Sequence, residues 1–248
     1  MCVLEGPDLI EAALDNGVEF EALYVDAAAA DHPTISSTVA RAAKAGVRVF
    51  TLANGVLEKV ADAVTPQPLL AAVRFATTPV AAIEVHGLIL VLHDVRDPGN
   101  AGTIIRSADA AGVSAVVFTG QSVDPFNPKT LRATAGSIFH LPVAVGSFDE
   151  AMAHFVAGGA HTFATVVRGG EHHRRVDFTK PTVVVIGNES DGLDDETVAK
   201  CQSTMSIPMA GRSESLNAGV AASLIAFEAL WQRQDANDSP PPPSLTGT

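Results

Sequence analysis

Apolar residues follow two alternating patterns along the first 75 positions of the chain. Short apolar runs predict strands at residues 2–4, 22–25 and 47–52. Between them, apolar positions at helical spacing predict one helix that begins at Pro7 and another over residues 35–45. The order strand, helix, strand, helix, strand predicts a small three-layer α/β unit.

A larger unit follows a predicted linker at residues 77–79, where helical and strand periodicity are both lost. Buried strands are predicted at residues 88–92, 115–118, 141–145, 162–167, 182–186 and 205–208. Residues 88–92 are all apolar, which is typical of a strand buried on both faces of a parallel sheet. A last helix is predicted over residues 215–234, with an apolar stripe formed by Leu216, Val220, Leu224, Phe227 and Leu230.

These elements divide the chain into three parts. Residues 1–78 form a small accessory unit, and residues 79–234 form a larger α/β unit. Residues 235–248 contain four consecutive prolines and no apolar pattern, so a disordered tail is expected.

Composition excludes several classes of protein. Hydrophobic residues make up 47% of the chain, which is enough for a buried core and too much for bulk disorder. No apolar run approaches the ~18 residues of a membrane span. Two cysteines cannot form a disulfide framework or a thiolate zinc cage. Neither a basic cluster nor a long apolar stretch follows Met1, so we expect no signal peptide and a cytoplasmic location.

The overall charge does not point to nucleic acid. The chain has 16 Lys and Arg against 28 Asp and Glu, which gives a formal net charge of −12. Non-specific nucleic-acid binding usually depends on a basic surface, so any RNA contact must come from a local basic patch.

Three loops that follow predicted strands carry the residues of chemical interest, at 94–102, 186–193 and 207–217. In open α/β sheets, ligands bind outside the carboxyl ends of the strands. The first loop begins a helix that carries Arg106. Its glycines do not form the G-x-G-x-x-G pattern of a dinucleotide site, which leaves a capped turn with a surface arginine as the plain alternative.

The other two loops are also ambiguous when each is taken alone. The acidic loop at 186–193 could hold a metal through carboxylates, but no further ligand pattern supports one, and an acidic helix start is the simpler interpretation. In the third loop, Ser215 is placed to cap the last helix. A serine hydrolase is excluded there because residues 211–215 lack the second glycine of G-x-S-x-G.

Taken in order, the three loops resemble the motifs of the SpoU (TrmH-type) branch of the SPOUT RNA methyltransferases. The first motif, at residues 97–112, reads DPGNAGTIIRSADAAG. The second is Gly-Asn-Glu at 187–189, and the third combines Ile-Pro-Met at 207–209 with Ser-Leu-Asn at 215–217. Residues 5–14 resemble the start of the family's accessory domain, a small α/β module related to a ribosomal protein.

The resemblance implies a fold and a reaction. Family members have a parallel-sheet SPOUT domain with a deep trefoil knot, and here the three-layer α/β unit would precede it as an RNA-binding domain. They transfer a methyl group from S-adenosylmethionine to a ribose 2′-hydroxyl, and no metal is required. The matching positions imply cofactor contacts at Gly187, Ile207, Met209 and Leu216. Core packing is the plain alternative for Ile207 and Leu216.

The resemblance also implies a catalytic group around Arg106. The family assigns this arginine the role of base, although a guanidinium group normally stays protonated at neutral pH. The alternative is that it stabilises the forming alkoxide or grips the adjacent phosphate, and the sequence leaves both roles open. Asn100, Glu189, Ser215 and Asn217 match positions that orient the arginine or the nucleotide.

The loop at residues 168–175 is the densest positive cluster of the chain. The residues predicted to contact RNA phosphates are Arg168, Arg174 and Arg175, with Arg132 as a weaker candidate. A solvated surface loop is the alternative. His172 and His173 are adjacent and expected to point apart, so we do not interpret them as metal ligands.

Two more implications concern partner and substrate. Family active sites combine residues from two subunits, so a homodimer is implied. The accessory domain favours ribosomal RNA over tRNA, and residues 122–129 resemble those of enzymes acting on large-subunit rRNA. The alternatives are a tRNA ribose methyltransferase, distinguished by the RNA that accepts the methyl group, and a non-catalytic RNA-binding or ribosome-assembly protein, which would fail to bind the cofactor.

Overall fold

The computed structural model describes residues 1–59 and 67–238. Within these ranges the chain forms a four-stranded sheet followed by a seven-stranded sheet. In the same ranges, no helix is long and apolar enough to cross a membrane.

The first sheet has the strand order β1-β4-β2-β3. Its strands are β1 (Cys2–Glu5), β2 (Glu19–Asp26), β3 (Val49–Leu52) and β4 (Leu69–Arg74). β4 pairs antiparallel with β1 and β2, while β2 and β3 are parallel. The sequence predicted the other three strands but not β4, which lies inside the sheet.

Two helices cover one face of this sheet. They are α1 (Pro7–Asp15) and α2 (Pro33–Lys44), and each begins at a proline, whose fixed φ suits the first helical position. The two helices touch through Thr38, whose hydroxyl donates to Glu11 Oε1 at 2.7 Å. Their buried apolar residues join one core with Leu4, Leu23 and Ala71 of the sheet. The third layer expected from the sequence is not seen among the described residues.

The second sheet has the order β7-β6-β5-β10-β8-β11-β9, and every pairing in it is parallel. Its strands are β5 (Leu88–His93), β6 (Ala115–Thr119), β7 (Val143–Val145), β8 (His161–Thr165), β9 (Glu171–His172), β10 (Thr182–Ile186) and β11 (Ser203–Ser206). The five residues of β10 are all buried, as expected for a strand covered on both faces. β10 lies between β5 and β8, an order compatible with the implied knot, which stays a prediction.

Five helices accompany this sheet: α3 (Pro98–Ala110), α4 (Pro128–Thr134), α5 (Phe148–Ala157), α6 (Asp195–Ala199) and α7 (Ala218–Asp238). The start of the last helix was predicted three residues too early, because Asn217 rather than Ser215 caps it. The Oδ1 atom of Asn217 accepts from the backbone N–H of Val220 at 3.2 Å. α7 also runs four residues past the predicted end at Gln234. The rest of the predicted tail, residues 239–248, lies outside the described residues.

Only part of the apolar stripe predicted for α7 packs on the core, where Phe227 and Leu230 are half-buried. Val220 and Leu224 are 47% and 43% exposed, and Trp231, on the same stripe, is also exposed. The buried side is formed instead by Ala222, Ile225, Ala226 and Ala229. Small residues let α7 pack closely on α3, where the Ser223 and Ser107 hydroxyls lie 2.7 Å apart. In a single chain, a large apolar stripe is therefore left on the surface.

The two sheets are joined by direct contacts rather than by a loose linker. Glu5, whose side chain is 5% exposed, accepts a hydrogen bond from Arg132 Nη1 of α4 at 2.7 Å. The Phe75 ring packs edge-on against Phe126 and Phe139. In the predicted linker, the backbone N–H of Thr78 donates to Val143 O of β7 at 2.8 Å. The accessory unit is therefore held in one orientation on the larger unit.

Candidate active site

The three loops singled out in the sequence meet at the carboxyl ends of β5, β10 and β11. The second and third loops line a cavity of about 180 Å³ together with the end of β8 and the start of α7, and the first loop contributes no lining residue. The cavity walls include Ile186, Gly187 and Glu189 from the second loop, and Ile207, Met209, Ser215 and Leu216 from the third. The structure thus brings all four predicted cofactor contacts to one cavity, together with two of the predicted catalytic residues.

The first loop is tied to the other two by one side chain. Asp97 caps α3 by accepting from the backbone N–H of Asn100 at 2.8 Å. The amide of Asn100 then donates to Glu189 Oε1 at 2.9 Å and accepts from Asn217 Nδ2 at 2.8 Å. Asn100 therefore forms one hydrogen-bonded group with two residues that follow it by 89 and 117 positions in the sequence. Three predicted catalytic residues, Asn100, Glu189 and Asn217, are in direct contact.

The second loop is folded tightly on itself. The backbones of Asn188 and Gly192 exchange hydrogen bonds of 3.1 and 3.0 Å. A Cβ atom at Gly187 would lie 2.5 Å from the carbonyl carbon of Gly192, so only glycine fits at this position without a shift of backbone. Both glycines line the cavity.

Sequence reasoning missed two residues that fix this loop. The Nδ2 atom of Asn188 donates to the backbone carbonyl of Asp94 at 2.9 Å, and its Oδ1 accepts from the Ser190 N–H at 2.8 Å. Asp94 has a φ of 58°, a left-handed conformation that is rare outside glycine. Its carboxylate accepts from the Gln121 N–H at 2.6 Å, which helps to hold that conformation. The signal for Asn188 was its place inside the Gly-Asn-Glu motif.

Arg106 lies apart from this cluster. It is exposed on α3, six residues and about 9 Å along the helix axis from Asn100. It is not among the residues that line the cavity. Within residues 1–59 and 67–238, no hydrogen bond or ion pair is found for its guanidinium group, which is free to meet an incoming ligand.

The basic loop is tied to the sheet next to the cavity. β9, which was not predicted, pairs Glu171 with Met205 and His172 with Ser206 of β11. Arg168 and Arg175 are exposed. Arg174 Nε lies 3.5 Å from Glu228 Oε2 of α7, and Arg132 is held by Glu5 as described above. RNA contact by these four arginines stays a prediction.

The two adjacent histidines of the loop do not point apart as expected. The rings of His172 and His173 stack with centroids 5.0 Å apart and an interplanar angle of 14°. His173 is buried, and burial is the main cause that lowers the pKa of its imidazole below the ordinary value. A search of the described residues found no group of three or more His, Cys, Asp or Glu able to hold a metal ion.

Similar proteins include several rRNA methyltransferases. The chain is 30% identical over 91% of its length to a 23S rRNA (guanosine(2553)-2′-O)-methyltransferase, RlmP, of Bacillus subtilis, of which it covers 86%. It is 32% identical to the structure of the SpoU methyltransferase AviRb of Streptomyces viridochromogenes in complex with the cofactor AdoMet, with a TM-score of 0.81 over 94% of this chain and 90% of that one.

An AdoMet-bound rRNA methyltransferase from Sinorhizobium meliloti gives a TM-score of 0.80 at 33% identity, over 92% of this chain and 86% of that one. A family model described as the MRM3-like substrate binding domain matches residues 1–71. The model of the SpoU rRNA Methylase family matches residues 87–227 and includes all three loops. The chain therefore belongs to the SpoU family of S-adenosylmethionine-dependent RNA 2′-O-methyltransferases.

Proposed function

We propose that this enzyme methylates a ribose 2′-hydroxyl of large-subunit ribosomal RNA in the cytoplasm. The observation that carries the proposal is the contact of Asn100, Glu189 and Asn217 at the cavity, in a chain that matches 23S rRNA enzymes over nearly its whole length. The accessory unit, matched as a substrate-binding domain, favours rRNA over tRNA. The test is to incubate the enzyme with labelled S-adenosylmethionine and either 23S rRNA or tRNA. Transfer of the labelled methyl group to tRNA but not to 23S rRNA would favour the tRNA alternative.

The residues that line the cavity suit S-adenosylmethionine in polarity and charge. The cavity lining includes the apolar residues Ile207, Met209 and Leu216, and Gly187 lines it beside the closely packed backbone of Gly192. The carboxylates of Glu189 and Asp191 also line the cavity and complement a ligand with positive charge. When bound, the cofactor supplies an electrophilic methyl group on a sulfonium that leaves as a neutral thioether.

The cofactor assignment predicts that Gly187→Ala weakens binding of S-adenosylmethionine about tenfold or more, equivalent to ~1.4 kcal/mol. The added methyl group would meet the Gly192 backbone and push the loop into the cavity. Calorimetric titration of the folded variant measures the affinity. Gly211→Ala is the matched control, because a Cβ there meets nothing within 4 Å, and its affinity should stay within about twofold. Equal affinities for the two variants would remove Gly187 from the site.

The catalytic roles follow from where charge develops. For the 2′-oxygen to attack the methyl carbon, its hydroxyl proton must pass to a base or to solvent water, and loss of the proton places negative charge on the oxygen. Arg106, exposed and without a described partner, is proposed to stabilise that charge or hold the adjacent phosphate. Asn100, Glu189, Ser215 and Asn217 are proposed to orient the nucleotide at the cavity mouth.

Arg106→Ala is expected to lower the rate of methyl transfer to 23S rRNA about 10²–10³-fold, because it removes a donor aimed at the forming alkoxide. The affinity for S-adenosylmethionine should be unchanged, because Arg106 does not line the cavity. Single-turnover transfer of a labelled methyl group measures the rate. Arg106→Lys, which keeps the charge but not the forked geometry, should recover only part of it. Normal turnover by Arg106→Ala would rule out the catalytic assignment.

A homodimer would bring Arg106 and a cavity together. In one chain the two are separate, and the exposed stripe of Val220, Leu224 and Trp231 lies on α7, which packs on the helix that carries Arg106. An apolar stripe of this kind marks a protein interface on a surface that is otherwise charged. We propose that two chains pair through this stripe and share their catalytic residues.

Leu224→Glu is expected to shift sedimentation from dimer to single chain and to abolish methyl transfer, because it places a charge in the proposed interface. Val156→Glu on α5 is the matched control, because Val156 is also 43% exposed but lies on another helix. A Leu224→Glu protein that remains dimeric and active would place the interface elsewhere.

The basic loop is proposed to hold RNA phosphates, since it is tied to β11 beside the cavity. Replacing Arg174 and Arg175 with Gln should weaken binding to 23S rRNA and reduce the slope of log affinity against log salt by about 1–2. Filter binding at several salt concentrations measures the slope. Arg41→Gln on α2, an exposed arginine paired with Asp15, is the control and should leave it unchanged. An equal slope for all three proteins would return the loop to a solvated surface.

A further inference from the structure

Neither of the two α-helices described within residues 1–59 and 67–78 covers the second face of the sheet in the accessory unit. Both α1 and α2 pack on the side of Leu4, Leu23 and Ala71. Side chains alternate along a strand, so the neighbours of these residues point to the other side. The strand register gives two rows on that side: Glu5, Leu70, Tyr24 and Phe50, and beside it Val3, Ala72 and Ala22. We call these two rows the open face.

An aromatic pair lies on the open face. The rings of Tyr24 and Phe50, on neighbouring strands, are stacked with centroids 5.6 Å apart and an interplanar angle of 21°. Phe50 is 45% exposed, and among the described residues no other phenylalanine is exposed. Tyr24 is the single tyrosine of the chain and is half-buried. An aromatic ring that is exposed to water adds little to the stability of the fold, so this pair is a candidate binding site for a ligand.

The surroundings of the pair suit a flat ligand with negative charge at its edge. Ala22 and Ala72 are small, so the floor beside the rings is low, although Ala22 and Leu70 are themselves buried, at 3% and 7% exposure. Arg48 and Arg74 border this floor, and both are largely exposed. Each is held by Glu21: Arg48 Nη2 lies 3.7 Å from its Oε2, and Arg74 Nε donates to its Oε1.

The carboxylate that holds these arginines owes its position to an irregularity of β2. The register of β2 against β4 shifts between Phe20 and Ala22, which makes Glu21 the extra residue of a bulge. Bulges re-aim a side chain relative to the regular alternation of a strand. Arg48 and Arg74, each paired with Glu21, lie two positions from Phe50 and Ala72 along the chain and so share the side of the sheet that carries the rings.

We propose that the open face binds unpaired nucleotides of the rRNA substrate, with bases stacked on Phe50 and Tyr24 and phosphates held by Arg48 and Arg74. Exposed aromatic rings on a sheet are a common platform for single-stranded RNA, since every base offers a π-face. The row of Phe50 and Tyr24 ends at Glu5, which is bound to Arg132 of the larger unit. An RNA strand bound along this row would therefore run toward the methyltransferase unit. The inference deepens the proposed function and rests on it.

Stacking is tested with the full-length protein and a fluorescein-labelled single-stranded RNA of 12 mixed nucleotides. Phe50→Leu, which keeps apolar area but removes the ring, should weaken binding about tenfold in fluorescence anisotropy. Phe50→Trp should bind at least as tightly as the wild type, because a larger ring stacks better. Val156→Ala on α5 is the control for loss of an exposed apolar group and should bind normally. Phe50→Leu binding as tightly as the wild type overturns the proposal.

Removing the negative charge of Glu21 is expected to change RNA affinity in the opposite direction from Phe50→Leu. Glu21→Gln keeps an oxygen acceptor for the arginines but removes a negative charge beside the proposed phosphates. Affinity for the same RNA should rise about two- to fivefold, and an unchanged affinity counts against phosphate contacts here. The RNA annealed to its complement should lose the difference between wild type and Phe50→Leu, because paired bases cannot stack on the rings. A difference that persists with duplex overturns base stacking.

Steady-state methyl transfer to 23S rRNA separates this inference from the proposed function. Phe50→Leu should raise KM for RNA about tenfold and leave kcat unchanged, because no residue of the open face lines the cavity. An active wild type with an unaffected Phe50→Leu variant overturns only the open-face proposal. A wild type that binds the RNA oligonucleotide through Phe50 but transfers no methyl group overturns the proposed function and keeps the RNA surface. If a protein rather than RNA occupies the face, neither RNA measurement changes, which also overturns the proposal.

Discussion

The amide of Asn100 is the group on which the candidate site depends, because it is hydrogen-bonded to two other loops at once. Its nitrogen donates to Glu189 and its oxygen accepts from Asn217, so only an amide satisfies both contacts. A carboxylate here would face Glu189 with like charge, and an apolar residue would leave both partners unsatisfied. Asn217 also caps α7, so the hydrogen bond from Asn217 to Asn100 connects the start of the last helix to the site.

The second constraint is the tight loop at the end of β10, which must be narrow enough to leave a cavity. Gly187 permits the backbone of Gly192 to approach, and Asn188 ties the loop to the carbonyl of Asp94. That carbonyl is available because Asp94 adopts a left-handed conformation, held by its own carboxylate. Strain at Asp94 is thus offset by a hydrogen bond and serves to fix the cavity wall. The cavity is prepared by backbone geometry before any ligand arrives.

Much of this arrangement could be predicted from sequence, because parallel buried strands and cap residues leave local patterns. The strands of the larger sheet, except the two-residue β9, and the three loops were found in this way. β4 was missed, because its place inside the first sheet depends on pairing with strands more than 40 residues away. For α7, periodicity identified an apolar stripe but not which of its residues pack on the core and which stay exposed. Asn188 and Asp94 act through the backbone, which sequence patterns do not show.

Part of the acidic charge of the chain is used in ion pairs with its arginines. Arg48 lies beside Glu21, Arg132 beside Glu5 and Arg174 beside Glu228. A paired guanidinium attracts a distant polyanion weakly, yet still offers oriented N–H groups to a phosphate that fits. Non-specific affinity for nucleic acid grows with the number of phosphates that lysine and arginine side chains neutralise, because each such contact releases counterions from the nucleic acid. Pairing these three arginines with carboxylates therefore lowers binding to any RNA, and leaves discrimination to stacking, shape and the geometry of the site.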